Sequence, residues 1–202
     1  LNILGSHDTI RARTALSGAP NRDALTREEQ AVWQPGAEAA VLARARLKLG
    51  VLIQFGLPGV PCVYYGDEAG LTGMADPFNR KPYPWGREDD DLLAFYRAVS
   101  AARRGCPALY RGGCGMAAPA PDVFAALRCE GHSGAALLVN RSLEPYQGVL
   151  SVNHFAQGPD VDRLWLDGLY RDAASGREFR AENGELYLRL PPMTGLLLTR
   201  IE

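Results

Sequence analysis

Two short β-prone segments with a helix-length stretch between them constrain the fold of this chain more than any other feature. Leu1-Asn2-Ile3-Leu4 runs straight into Gly5-Ser6-His7-Asp8-Thr9, and Val60-Pro61-Cys62-Val63-Tyr64-Tyr65 runs into Gly66-Asp67-Glu68. Each β-prone run ends abruptly in polar, ionisable residues. From Ala37 to about Gln54 the sequence is rich in Ala, Leu, Arg and Lys, and Val41, Leu42, Ala45, Leu49 and Leu52 can share one helical face. Gly56-Leu57-Pro58-Gly59 closes that helix. Strand, helix, strand in this order is a βαβ unit, and parallel α/β proteins place reactive groups at the carboxyl ends of their strands.

Between these strands, residues 9–36 read as a long polar loop, with a capping-box pattern at Thr26-Arg27-Glu28-Glu29. Residues 70–89 are irregular, and Leu92 to Arg104 form a second helix with Leu92, Leu93, Phe95, Tyr96 and Val99 as its apolar surface. Gly105-Cys106-Pro107 stops it and marks a domain boundary, giving residues 1–105 and 106–202 as the two domains. Beyond it the period changes. Val123 to Arg128, Ala135 to Asn140, Gly148 to Val152, Leu164 to Leu166, Leu186 to Leu190 and Leu196 to Ile201 are short strand candidates separated by Gly, Pro, Asn and Asp. That pattern indicates an antiparallel sandwich or open barrel.

With 22 basic and 23 acidic residues the chain carries no basic excess, which argues against a nucleic-acid partner. The pair Arg103-Arg104 reads as a solvated helix end. The four cysteines, Cys62, Cys106, Cys114 and Cys129, include no Cys-x-x-Cys pair, so no zinc site is expected. Cys62 is expected in a buried strand, and sparse cysteines fit a reducing, cytoplasmic compartment. No acidic cluster meets the needs of calcium, so neither a metal nor a cofactor is expected. The longest apolar run, Val51 to Phe55, is too short for a bilayer, so no membrane partner is expected.

Three segments resemble the α-amylase family of glycoside hydrolases, most closely its cyclomaltodextrinase, neopullulanase and maltogenic-amylase group. Leu4-Gly5-Ser6-His7-Asp8-Thr9 resembles the end of the seventh barrel strand in that family. Gly59-Val60-Pro61 through Asp67-Glu68-Ala69-Gly70 resembles the eighth strand and its exit loop. Asp76-Pro77-Phe78-Asn79-Arg80-Lys81-Pro82, followed by Trp85, resembles the loop beyond. The resemblance implies the C-terminal part of a TIM (β/α)8 barrel, its last two strands and helices, followed by an antiparallel β-sandwich domain. It also implies retaining cleavage of α-glycosidic bonds in α-glucan oligosaccharides or cyclomaltodextrins.

By the same resemblance Asp8 stabilises the transition state, His7 hydrogen-bonds the sugar, and Asp76 and Arg80 bind substrate. The nucleophile and the general acid sit on the fourth and fifth barrel strands of the family and have no counterpart here. The remainder of the barrel is then a required partner, from the same or another chain. The alternative is a non-catalytic carbohydrate-binding or structural β module. At single residues, Asp76 and Arg80 also read as a loop-bracing ion pair, and Asp67 and Glu68 as structural residues at a strand end. Tyr64 and Tyr65 read as strand packing, Tyr83 and Trp85 as flat faces for a pyranose, and Trp33 as either a substrate contact or a loop anchor.

Overall fold

In the computed structural model, which describes residues 1–155 and 164–202, β1 (Asn2–Ile3) and β2 (Pro61–Cys62) lie side by side in parallel. The pairing is that of a βαβ unit, but both strands are shorter than the apolar runs suggest. Each run bends into a turn soon after pairing: the Thr9 amide donates to the Ser6 carbonyl at 3.3 Å, and the Asp67 amide to the Tyr64 carbonyl at 3.1 Å. Cys62 is exposed rather than buried, because it lies in a sheet of only two strands.

The stretch read as a loop contains short helices: α1 (Ala12–Leu16), a 3-10 turn at Arg22–Ala24 and α2 (Arg27–Val32). The capping box at α2 is realised in full. Thr26 Oγ1 accepts from the Glu29 amide at 3.2 Å, and Glu29 Oε2 accepts from the Thr26 amide at 2.7 Å. Helix α3 (Ala37–Gly56) follows, about 30 Å long at the usual rise per residue. Its buried line runs through Ala43, Leu47 and Val51, and Val41, assigned to the packed face from spacing, is 70% exposed. The helix is apolar on nearly every side, so counting apolar positions does not single out a face.

Helix α4 (Asp90–Gly105) buries Leu92, Tyr96 and Val99 as its periodicity predicts. Asp89 Oδ1 accepts from the Leu92 amide at 3.3 Å, and Asp90 and Asp91 occupy the first turn, where carboxylates complement the helix dipole. Gly105 ends the helix, and Pro107 opens α5 (Pro107–Arg111).

The chain divides into two units, residues 1–51 with 61–96 and residues 52–60 with 97–202. In the second unit Arg103, read as part of a solvated pair, is buried, and only Arg104 is exposed. Its guanidinium donates to the carbonyls of Phe55, Leu57 and Gly59 at and beyond the end of α3. Arg128 donates to Gly56, Leu109, Gly112 and Gly113. Together the two side chains satisfy main-chain carbonyls that a helix end leaves without partners.

The same unit holds a six-stranded antiparallel sheet in the order β3 (Gly113–Ala120), β4 (Val123–Glu130), β5 (Ser133–Asn140), β10 (Thr194–Arg200), β7 (Gly168–Asp172), β8 (Glu178–Ala181). A second sheet pairs β6 (Tyr146–Ser151) with β9 (Glu185–Leu190). Leu127, Ala136, Leu138, Tyr170 and Leu198 from the larger sheet share one core with Leu150, Leu186 and Leu188 from the smaller, so the architecture is a sandwich. Asn183 and Gly184, both at positive φ, form the two-residue turn that carries the chain from β8 to β9. Leu164 to Leu166, expected as a strand, are irregular: Leu166 is buried in this core without ladder pairing.

Candidate active site

The parallel pairing of β1 and β2 sends both carboxyl ends to the same edge. After β1 the chain closes a tight turn. Ser6 Oγ accepts from the Asp8 amide at 3.2 Å, and Thr9 Oγ1 accepts from the Ser6 amide at 3.0 Å. With the backbone and the two flanking hydroxyls engaged in the turn, the His7 and Asp8 side chains point outward. They are 61% and 74% exposed, with His7 Nε2 3.2 Å from Asp8 Oδ2. An exposed carboxylate beside an imidazole can accept from sugar hydroxyls while the imidazole donates.

Beneath the turn lie two buried residues to which sequence reasoning gave no role, Arg11 and Asn79. Asn79 Nδ2 donates to the carbonyls of His7 and Thr9, each at 2.7 Å. Arg11 Nε donates to the Asn79 main-chain carbonyl at 2.7 Å, and Arg11 Nη1 reaches Asp67 Oδ1 at 3.2 Å and the Tyr65 carbonyl. The guanidinium also lies over the rings of Tyr64 and Tyr65, at 4.1 and 4.7 Å from their centroids. Burial pushes the Asp67 carboxyl up to about 6, against the opposing pull of Arg11. Burial also lowers the Lys81 ammonium, with the Arg11 charge adding to the effect.

The loop that carries Asn79 is held on α1. The Gly73 amide donates to Thr14 Oγ1 at 2.8 Å, and its carbonyl accepts from the Arg11 amide at 3.0 Å. A Cβ at Gly73 would sit 2.2 Å from the Phe78 carbonyl oxygen, so the close approach of this loop to itself requires glycine. Asp76 and Arg80, on either side of Asn79, form an ion pair of 2.7 Å on the surface. Tyr83 and Trp85 follow with ring centroids 4.5 Å apart, and Trp85 is 80% exposed.

Tyr65 donates its hydroxyl to the Lys81 carbonyl at 2.9 Å, so it braces this loop. Trp33, just after α2, is half-buried, and Glu68 carries a buried Oε2 with no hydrogen-bond partner among the described residues. Arg13, Arg44, Thr72, Pro84, Arg87 and Asp89 line a separate open cleft of about 500 Å³. There the Asp89 carboxylate holds both Arg13 at 3.2 Å and Arg44 at 2.9 Å.

No protein-family model matches the chain. An amylopullulanase of Thermoanaerobacter thermohydrosulfuricus is 32% identical to it over 207 residues, 98% of this chain and 13% of that protein. A cyclomaltodextrinase of Geobacillus thermopakistaniensis is 29% identical over 100% of this chain and 29% of its own length. Among solved structures, an Anoxybacillus α-amylase shares the fold with a TM-score of 0.70 at 22% identity, covering 97% of this chain and 36% of that one. The cyclic α-maltosyl-(1→6)-maltose hydrolase of Arthrobacter globiformis matches with a TM-score of 0.63 at 28% identity, over 98% of this chain and 34% of that one. The chain thus spans well under half the length of each relative. Along nearly its whole length the chain is similar to amylopullulanases and cyclomaltodextrinases, and its fold is shared with the solved α-amylase and maltosyl-maltose hydrolase.

Proposed function

We propose that this chain is the C-terminal portion of an enzyme that cleaves α-glycosidic bonds of α-glucans with retention, and that Asp8 and His7 serve that reaction. The observation that carries the proposal is the His7–Asp8 pair, exposed at the carboxyl end of β1 with its backbone fixed from behind. Retaining cleavage passes through an oxocarbenium-like transition state, where hydrogen bonds to sugar hydroxyls strengthen as charge develops. In this reading Asp8 supplies an anionic acceptor for those hydroxyls, and His7 donates to the same sugar ring. Neither acts as the nucleophile. That role and the general acid fall to carboxylates outside residues 1–202.

Asp76 and Arg80 serve as a substrate-binding pair beside the catalytic residues. A surface ion pair contributes about 1 kcal/mol or less, so sugar hydroxyls can displace it at small cost. Residues 1–105 act as the end of the barrel and residues 106–202 as the β domain. The remainder of the barrel, from the same or another chain, packs on the β1–β2 strands, where Leu1, Ile3 and Val60 are exposed. Substrates are maltooligosaccharides, cyclomaltodextrins or pullulan.

Incubation of the complete protein with these glucans, with the newly formed anomer followed by proton NMR, tests the proposal. New reducing ends of the α configuration support it. Saccharide binding without new reducing ends identifies the chain instead as part of a non-catalytic carbohydrate-binding module.

A further inference from the structure

We infer that Asn79 is a positioning residue for the reaction, which sets the His7–Asp8–Thr9 turn and ties it to the loop carrying Asp76 and Arg80, with Arg11 as its brace. The inference rests on the functional reading above and adds to it the residue that aligns the two parts of the site. Asn79 is fully buried, and its amide donates to the carbonyls on either side of Asp8, His7 O and Thr9 O. The orientation of the amide is set by this pairing, since a flipped amide would bring its oxygen against two carbonyl oxygens.

The grip brackets Asp8: it takes the carbonyl of the peptide unit that enters Asp8 and that of the unit following Thr9. Rotation of the His7–Asp8 unit to re-aim the carboxylate breaks the hydrogen bond from the buried Asn79 amide to the His7 carbonyl. Asn79 lies between Asp76 and Arg80 in sequence, so any displacement of one loop is felt by the other. Arg11 completes the coupling. Three residues beyond Asp8, it takes the Asn79 main-chain carbonyl with Nε and engages Asp67 and the Tyr65 carbonyl with Nη1. One guanidinium therefore fixes the turn after β1, the segment after β2 and the loop beyond it in a single frame. A planar fork with several donors in fixed directions suits this task, and a lysine ammonium does not.

The test is a double-mutant cycle in the complete protein with maltotriose as substrate. Asn79→Ala is expected to lower kcat about a hundredfold with KM changed less than about threefold, the signature of a misplaced catalytic group. In an Asp8→Asn background the same change is expected to cost no more than about threefold, because the two residues act as one unit. Full additivity of the two losses, or wild-type kcat in Asn79→Ala beside an impaired Asp8→Asn, overturns the role of Asn79 and leaves the functional reading standing. Wild-type turnover in Asp8→Asn removes the role proposed for Asp8 and this inference with it. Should Asn79→Ala fail to fold, Arg11→Lys is run through the same cycle, with the same non-additivity expected and additivity overturning the inference. Arg11→Lys keeps the cation and removes the donor to the Asn79 carbonyl.

Discussion

Arg11 and Asp67 form an ion pair of 3.2 Å in which neither side chain is more than 3% exposed. Such a pair costs desolvation on both sides, and its geometry must return that cost through further hydrogen bonds. Arg11 finds them on the Tyr65 and Asn79 carbonyls.

Stability is expected to depend on pH through Asp67. Its folded-state carboxyl is raised from 3.8 to about 6, first by burial, with Arg11 opposing. A raised carboxyl means that the folded state holds the proton more tightly than the unfolded chain. The Asp67 contribution is therefore fully present below about pH 4 and is lost as pH rises through about 6, a fall on the order of 3 kcal/mol. Urea unfolding between pH 4 and 7 measures it, and Asp67→Asn is expected to remove that part of the slope.

Arg80→Ala is expected to raise KM for maltooligosaccharides while leaving kcat nearly unchanged. Its partner Asp76 is on the surface, so stability is expected to change by less than about 1 kcal/mol. Steady-state kinetics over a series of chain lengths, together with a thermal melt, separate the binding role from simple loop bracing. A loop brace alone leaves KM unchanged.

Gly73→Ala is expected to destabilise the protein by about 1–3 kcal/mol, because the added methyl meets the Phe78 carbonyl oxygen at 2.2 Å. Strain there is transmitted to Asn79, the next residue, so kcat is expected to fall along with stability. Thermal unfolding and turnover measured on one preparation report both.

Arg128→Ala is expected to cost about 3 kcal/mol or more. The substitution leaves the carbonyls of Gly56, Leu109, Gly112 and Gly113 without their donor in a buried region. Chemical denaturation measures the loss. Because the affected carbonyls lie in the unit formed by residues 52–60 and 97–202, maltotriose affinity is expected to stay near wild type.

The sequence was most legible where an apolar run or a strict period decides the element. The parallel strands, α3, α4 and the strands β4, β5, β9 and β10 all follow from such patterns. β3 did not, because Gly-Cys-Gly-Met-Ala-Ala-Pro-Ala has little intrinsic strand preference and is strand only through its pairing with β4. Leu164 to Leu166 misled for the opposite reason: the residues are apolar because Leu166 is buried, although no ladder includes them.

At the candidate site, the roles proposed for His7, Asp8, Asp76 and Arg80 come from their motifs. Arg11 and Asn79 were not readable, since their burial depends on contacts between segments 68 to 72 positions apart. The short distance from Asp8 to Arg11 and the place of Asn79 between Asp76 and Arg80 were the available signals. Neither shows which polar groups turn inward. The same limit explains Arg103, where a basic pair at a helix end conceals one buried member and one exposed member.

The most direct test of the account is the turnover of maltotriose by the complete protein with Asp8→Asn, an isosteric change that removes the charge and turns one acceptor oxygen into a donor. A fall in kcat of at least about a hundredfold is expected, with maltotriose affinity nearly unchanged, as for loss of a group that stabilises charge in the transition state. Wild-type kcat, or a loss confined to affinity, would contradict the catalytic role of Asp8.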